Sequence, residues 1–214
     1  MLREWTNESA RAGHVRVAKG LPIFEQGGPP HPAYLIEQGC VSLSTTAPDG
    51  RRVVVTFLFA GDTLCAGVHD TWASAVAVTD CMMSGVPIAQ APGRASGSLL
   101  DASDDMLHEV VARFALLAHL DAPDQLRWFF HWLAERTGRL AGHAVAMPMS
   151  RRDVADFLGM APETVSRALH TLEERGEITR QGLHLCQLTA VRGAGSGAPI
   201  GGQDAMRPSP SSLG

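Results

Sequence analysis

Between residues 15 and 90 the chain runs as short apolar stretches broken by turn residues. Val15 and Val17 alternate with polar neighbours, and Tyr34-Leu35-Ile36, Val41-Ser42-Leu43 and Val53-Val54-Val55-Thr56-Phe57 are rich in β-branched and apolar residues. Lys19-Gly20, Gly27-Gly28-Pro29-Pro30, Gln38-Gly39, Pro48-Asp49-Gly50 and Gly61-Asp62 punctuate them. Strands at this spacing predict a sandwich or barrel. Asp49-Gly50 between two strand runs predicts a hairpin, because both central turn positions accept a positive φ there.

The period then changes. After a small, flexible connection at 91–100, Leu107, Val110, Val111, Phe114 and Leu117 recur every three to four residues, which predicts an amphipathic helix over about 101–121. A helix joining two domains can pack on its own β domain or form a dimer seam; those five side chains are the candidate dimer face. Asp121-Ala122-Pro123 ends it. A second helix is expected over about 123–137 with Leu126, Phe129, Phe130 and Leu133 inward, followed by a loop from Gly138 to Pro148. Residues 193–214 are rich in Gly, Pro and Ser and are expected to be a disordered tail.

The segment from Met149 to Glu173 carries the chemistry. Ser150 is positioned as an N-cap with Asp153 at N3, a capping box with Asp in place of Glu. Val154, Ala155 and Leu158 supply an inward face, Ala155 being small enough for a close helix crossing, and Gly159 suits a tight turn. Pro162 fits the first position of a second helix, whose Val165, Leu169 and Leu172 face inward at i, i+4 and i+7. Glu163, Ser166, Arg167 and His170 are left on an exposed stripe. That is a helix-turn-helix, whose second helix enters the major groove by its N-terminal half. An arginine there can donate two hydrogen bonds to guanine, and a glutamate can accept from cytosine. A solvated charged helix pair would show a similar stripe, but not this agreement of cap, small residue, turn glycine and proline start. Two strand runs flanking Gln181-Gly182 add a hairpin, making the unit a winged helix-turn-helix.

Charge sharpens this picture. The 214-residue chain has a formal net charge of −4 and 45% hydrophobic residues, enough for a buried core but not the overall signature of a nonspecific nucleic-acid binder. From Met147 to Arg192 there are six Arg and six Asp or Glu, so the DNA-binding unit is not basic by count either. Binding must depend on placement, with Arg151, Arg152, Arg167 and Arg180 toward phosphates or bases and Thr164 beside them. The four cysteines, Cys40, Cys65, Cys81 and Cys186, form no C-x-x-C pair and sit at no zinc-ligand spacing, as expected of reduced thiols in a cytoplasmic protein. The N-terminus has no apolar signal region, and no stretch of 18 apolar residues would span a membrane.

The string MSRRDVADFLGMAPETVSRALHTLEERGEI resembles the Crp–Fnr superfamily of bacterial regulators, most nearly its FixK-like and Fnr-like branch. IFEQG at Ile23–Gly27, Gly39, DGRR at Asp49–Arg52 and FLFAGD at Phe57–Asp62 look like that family's sensor region. The resemblance implies an α+β protein: a β-roll (cupin-like jelly-roll) sensor domain over 12–98, a dimerisation helix over 101–121 and a winged helix-turn-helix over 122–192. It also implies a homodimer on double-stranded DNA with RNA polymerase as a further partner. The E-x-x-S-R pattern at Glu163, Ser166 and Arg167 is similar to the Fnr type. By that resemblance Arg167 reads guanine, Glu163 the paired cytosine and Ser166 a thymine, in a TTGAT-N4-ATCAA-like palindrome controlling low-oxygen, nitrogen-oxide or energy-metabolism genes.

The signal is less legible. Cyclic-nucleotide members of the family hold the phosphate with an arginine, but the matching stretch, Gly67 to Ala75, has none and carries Asp70. No cysteine precedes Cys40, so an N-terminal iron–sulfur ligand group is not available. His108 and His119, eleven residues apart and on one face of a continuous helix, leave haem open. Cys186, in the wing, is a redox candidate: a thiolate or sulfenate there would set negative charge beside phosphate. A cupin-type metalloenzyme would need clustered His and Glu ligands; the β region has only His14, His31 and His69, with no H-x-H, and no metal ligands are assigned. The expectation is a DNA-binding regulator without a bound cofactor, and not an enzyme.

Overall fold

The computed structural model describes residues 13–29, 31–65, 71–86, 99–137, 144–180 and 185–188. Two four-stranded antiparallel sheets form the N-terminal part. The first has the order β1 (His14–Val17), β8 (Cys81–Val86), β3 (Ala33–Gln38), β6 (Thr63–Leu64). The second has the order β2 (Pro22–Phe24), β7 (Ser74–Ala77), β4 (Cys40–Thr46), β5 (Arg52–Phe59). Val15, Val17, Ile36, Leu64 and Met83 from one sheet meet Ile23, Val41, Leu43, Leu58 and Ala75 from the other in one core. The predicted hairpin at Asp49-Gly50 joins β4 to β5, with Gly50 at φ 83°.

Strand β5 is buried on both faces, which is why its sequence reads as a continuous apolar run rather than an alternation. Its pairing with β4 shifts register at one point: Leu43 faces Thr56 but Ser44 faces Val54, leaving Val55 as the extra residue of a bulge. A bulge inverts the in–out alternation beyond it. Phe57 and Phe59 on one side of Val55 and Val54 on the other therefore all join the second core, away from the sandwich interior.

That second core belongs to the C-terminal half. Helix α1 (Leu99–Leu117) leads to α2 (Ala122–Arg136), then to α3 (Arg151–Leu158) and α4 (Pro162–Glu174). Asp121 caps α2, accepting from the backbone N–H of Asp124, and Pro123 stands in the first turn. Leu126, Phe129, Phe130, Leu133, Val154, Leu169 and Leu172 are all buried here. A three-stranded sheet, β10 (Ile178–Arg180), β11 (Leu185–Leu188) and β9 (Ala144–Ala146), forms the wing. Among the described residues no helix is long and apolar enough to cross a membrane.

Three expectations need correction. The span from Gly138 to Pro148 was expected to be a loop, yet it contains β9, which pairs antiparallel with β11. Three residues are too few to show a period, and their partners lie on the far side of the helix-turn-helix. His119 does not share a helix with His108, because α1 ends at Leu117 and a turn follows. Leu117 is buried in its own chain's core, whereas Leu107, Val111 and Phe114 stand 59%, 58% and 61% exposed; Val110 is half-buried. The exposed stripe is therefore narrower than the periodicity suggests. The 193–214 segment lies outside the described residues.

Candidate nucleic-acid interface

The helix pair is built as its sequence dictates. Ser150 Oγ accepts from the backbone N–H of Asp153 at 3.1 Å, and the Asp153 carboxylate accepts from the N–H of Ser150 at 3.0 Å, closing the capping box. Burial pushes the Asp153 carboxyl up, but hydrogen bonds from Ser150 and Arg52, with the charge of Arg52, outweigh it and hold the group below the usual carboxylate range. Gly159 ends α3 in the left-handed conformation at φ 70°, which a Cβ would strain, and the N–H of Met160 donates to the carbonyl of Ala155. Pro162 then starts α4. Ala161, its cap residue, offers no side-chain acceptor; Pro162 carries no N–H, and the Thr164 N–H donates to the Ala161 carbonyl at 2.9 Å.

On α4, Val165, Ala168, Leu169 and Leu172 are buried, while Glu163, Arg167 and His170 are exposed and Thr164 and Ser166 half-buried. Glu163 and Arg167 are one turn apart on the outer face. Arg167 Nη2 donates to Thr164 Oγ1 at 3.3 Å, an exposed contact that a stronger acceptor can displace. Ser166 Oγ donates to the carbonyl of Pro162 and accepts from Arg151 Nη1 at 3.3 Å. Arg151 of the first helix and Ser166 of the second thus meet, a juxtaposition that sequence spacing did not reveal. Arg152 is exposed on α3. His170 faces Glu174 at 3.3 Å, one turn further from the helix start. Arg180 ends β10 opposite Cys186 of β11; the side chains of both lie outside the described residues.

A first helix closed by a capping box and a glycine turn, a second helix with an exposed Arg–Glu face at its start and a hairpin wing beyond it make up a winged helix-turn-helix. Residues 125–193 match the Crp-like helix-turn-helix domain family, and residues 14–90 match the cyclic nucleotide-binding domain family. The nitrogen fixation regulation protein FixK of Bradyrhizobium diazoefficiens is 31% identical over 83% of this chain and 77% of its own length. The FixK of Azorhizobium caulinodans is 32% identical over 81% and 77%. The chain belongs to the Crp–Fnr family, in its FixK-like branch. The structure of FixK2 from Bradyrhizobium japonicum superimposes with a TM-score of 0.70 at 28% identity, covering 83% of this chain and 92% of that one. A Crp-family regulator from Thermus thermophilus, at 21% identity, shares the fold with a TM-score of 0.65 over 81% of this chain and 91% of its own. This Crp–Fnr chain is accordingly a DNA-binding transcription regulator and not an enzyme.

What sequence reasoning missed lies behind the DNA face. Arg52 Nη1, on β5, donates to Asp153 at 2.8 Å and to Asp156 at 3.0 Å on α3. Arg113 of α1 is 4% exposed; it donates to the carbonyl of Val55 at 2.8 Å and stacks 4.1 Å from the Phe157 ring centroid. Burial pulls its guanidinium down to about 10, against the charge of Glu109, so it remains a cation at neutral pH. Arg136 of α2 pairs with Asp62 at 2.9 Å and Glu109 at 3.6 Å, and donates to the carbonyl of Phe57. None of these pairings follows a local pattern. Arg52 stands inside the DGRR string, where nothing in the local sequence points to a partner 101 positions away.

Proposed function

We propose that this regulator acts as a homodimer on a TTGAT-N4-ATCAA-like palindrome. The observation that carries the reading is the placement of Glu163 and Arg167 on one exposed face at the start of α4. In that geometry Arg167 gives two hydrogen bonds to guanine and Glu163 accepts from the paired cytosine, while Ser166, freed from Arg151, contacts a thymine. Arg151 and Arg152 approach phosphates beside the first helix, with Thr164, His170 and Arg180 at the margins. The dimer seam is the exposed stripe of Leu107, Val111 and Phe114 on α1, an apolar face that a second copy covers about a two-fold axis. The relatives' names include a transcriptional activatory protein, AadR of Rhodopseudomonas palustris, and activation through RNA polymerase is the expected output here. The target genes, by the same reasoning, serve low-oxygen, nitrogen-oxide or energy metabolism.

The reading includes no bound effector. The sensor part has a cavity of about 420 Å³ lined by Pro22, Phe24, Glu25, Gln26, Thr46, Ser74 and Val76. It lies on the outward side of β7, where Ser74 and Val76 are half-buried while Ala75 and Ala77 enter the core. The stretch aligned by resemblance with the family's phosphate-binding segment begins at Gly67; residues 66–70 lie outside the described residues.

The test is binding of the purified, reduced protein to a duplex carrying the palindrome, without effector, against one with both guanines changed. Tight binding lost on that change supports the reading. Equal binding to both duplexes overturns the assignment of Arg167.

A further inference from the structure

Three arginines from three different parts of the chain converge behind the DNA face. Arg52 comes from the sensor sheet, Arg113 from α1 and Arg136 from the first helix of the DNA-binding unit. Each bonds to a part other than its own: Arg52 to α3 through Asp153 and Asp156, Arg113 to β5 and to Phe157 of α3, Arg136 to Asp62 and to Glu109 of α1. Between them lies a set of touching rings. Phe57 packs on Trp132 and Phe157, and Phe59 on Trp132, so sensor and DNA-binding aromatics share one core. The bulge at Val55 makes this arrangement possible, because it turns Phe57, Phe59 and Val54 to the same side and leaves the Val55 carbonyl to accept from Arg113.

The directions of these contacts matter. Asp153, Asp156 and Phe157 engage the sensor domain and α1, while Arg151 and Arg152 on the same helix, and Glu163, Arg167 and His170 on α4, remain exposed. The contacts therefore grip the helix-turn-helix without covering its DNA face. Arg113 and Arg136, buried and bonded to several groups, hold geometry more strictly than a hydrophobic contact, since a small displacement strands a charge.

We propose that Arg52, Arg113 and Arg136 are positioning residues for DNA recognition: they lock the helix-turn-helix to the sensor domain and α1 at a DNA-competent angle without any effector. This rests on the proposed palindrome and dimer only for its consequence, the distance between the two recognition helices. In a dimer whose α1 helices meet, the angle of each DNA-binding unit sets the half-site spacing that the protein accepts. Arg52 is the member to test, because it is partly exposed and its removal leaves the aromatic core intact.

The experiment compares the wild-type chain with Arg52→Met, Arg52→Lys and Asp156→Asn. Hydrogen exchange on the free proteins reads the lock without DNA. Binding to palindromes with two, four or six base pairs between half-sites, a range of under half a helical turn of about 10 base pairs, reads its consequence. Arg52→Met is expected to raise exchange selectively in residues 52–59 and 151–158, weaken binding to the preferred palindrome about tenfold, and flatten the spacer preference. Arg52→Lys restores most of both, because an ammonium still reaches the carboxylates. A merely structural role would lower the melting temperature without changing which spacer is preferred. Wild-type exchange and wild-type spacer preference in Arg52→Met overturn the proposal, and so does tighter binding, which would make the lock inhibitory. Should Arg52→Met open globally, Asp156→Asn decides by the same two readouts. If the wild-type chain binds none of the palindromes, the proposed half-site fails, while the exchange pattern still decides the lock.

Discussion

The guanidinium of Arg113 sits 4.1 Å from the centre of the Phe157 ring, with the Val55 carbonyl 2.8 Å from its Nη1. One side chain thereby joins the central helix, the sensor sheet and the first helix of the DNA-binding motif. Phe157 is itself in contact with Phe57, Trp128, Phe129 and Trp132. Phe157→Ala is expected to cost about 3–5 kcal/mol, from lost burial plus the cavity it leaves. Because the ring is shared between domains, denaturant unfolding should also lose its single transition. A single, unshifted transition would show that the Phe157 ring contributes little to either core or to their coupling.

Arg167 is exposed, and its guanidinium donates to Thr164. Arg167→Ala should leave thermal stability within about 0.5 kcal/mol of wild type. Discrimination at one guanine should fall by about 1–3 kcal/mol. Lysine at this position keeps the charge but not the two-pronged donor, so it should restore affinity more than specificity. Competition binding with single-base variants of the duplex checks both.

Arg152 is exposed on the first helix, and its substitution by alanine should weaken all DNA sequences alike. The slope of log affinity against log salt should become shallower by about one phosphate contact. A change confined to one base position would instead place Arg152 at a base edge.

Phe114 stands 61% exposed on α1 between Val111 and the buried Leu117. Phe114→Glu should leave the monomer folded and halve the mass seen by sedimentation at micromolar concentration. Affinity for the palindrome should fall by about 100-fold or more, the loss expected when two linked half-sites become independent. Retention of the dimer would move the seam elsewhere.

Asp153 is held below the ordinary carboxylate range, so its partners stabilise the charged form. A carboxyl depressed in the folded state contributes stability that is present above its unfolded pKa and is lost as pH falls through the lower folded value. The groups that hold it are Arg52 from β5 and Ser150, the cap residue of its own helix. The Arg52 contact should therefore be constant from about pH 8 to pH 5 and weaken only below about pH 4. Hydrogen exchange in residues 151–158, corrected for intrinsic pH dependence, checks this.

Sequence by itself determined the elements whose information is local. Ser150 with Asp153, Gly159 and Pro162 specify where α3 and α4 begin and end, and the inward positions of Val154, Val165, Leu169 and Leu172 follow from a 3.6-residue period. The exposed Glu163–Arg167 face came from the same period. The hairpin at Asp49-Gly50 was legible for a similar reason, since Gly50 takes the left-handed φ of 83° that follows the Pro48-Asp49 turn. The tertiary structure decided what depends on partners distant in the chain. Arg52 and Asp153 are 101 positions apart and carry no shared pattern. Strand β9 has three residues and exists because β11 offers it a free edge. Phe157 lies on the same helix as the predicted inward residues, but its burial depends on a sensor strand whose bulge at Val55 turns Phe57 outward to meet it. Capping, turns and periodicity are written in neighbouring residues. The grip between domains is written in the register of one strand pair, which only the folded chain sets.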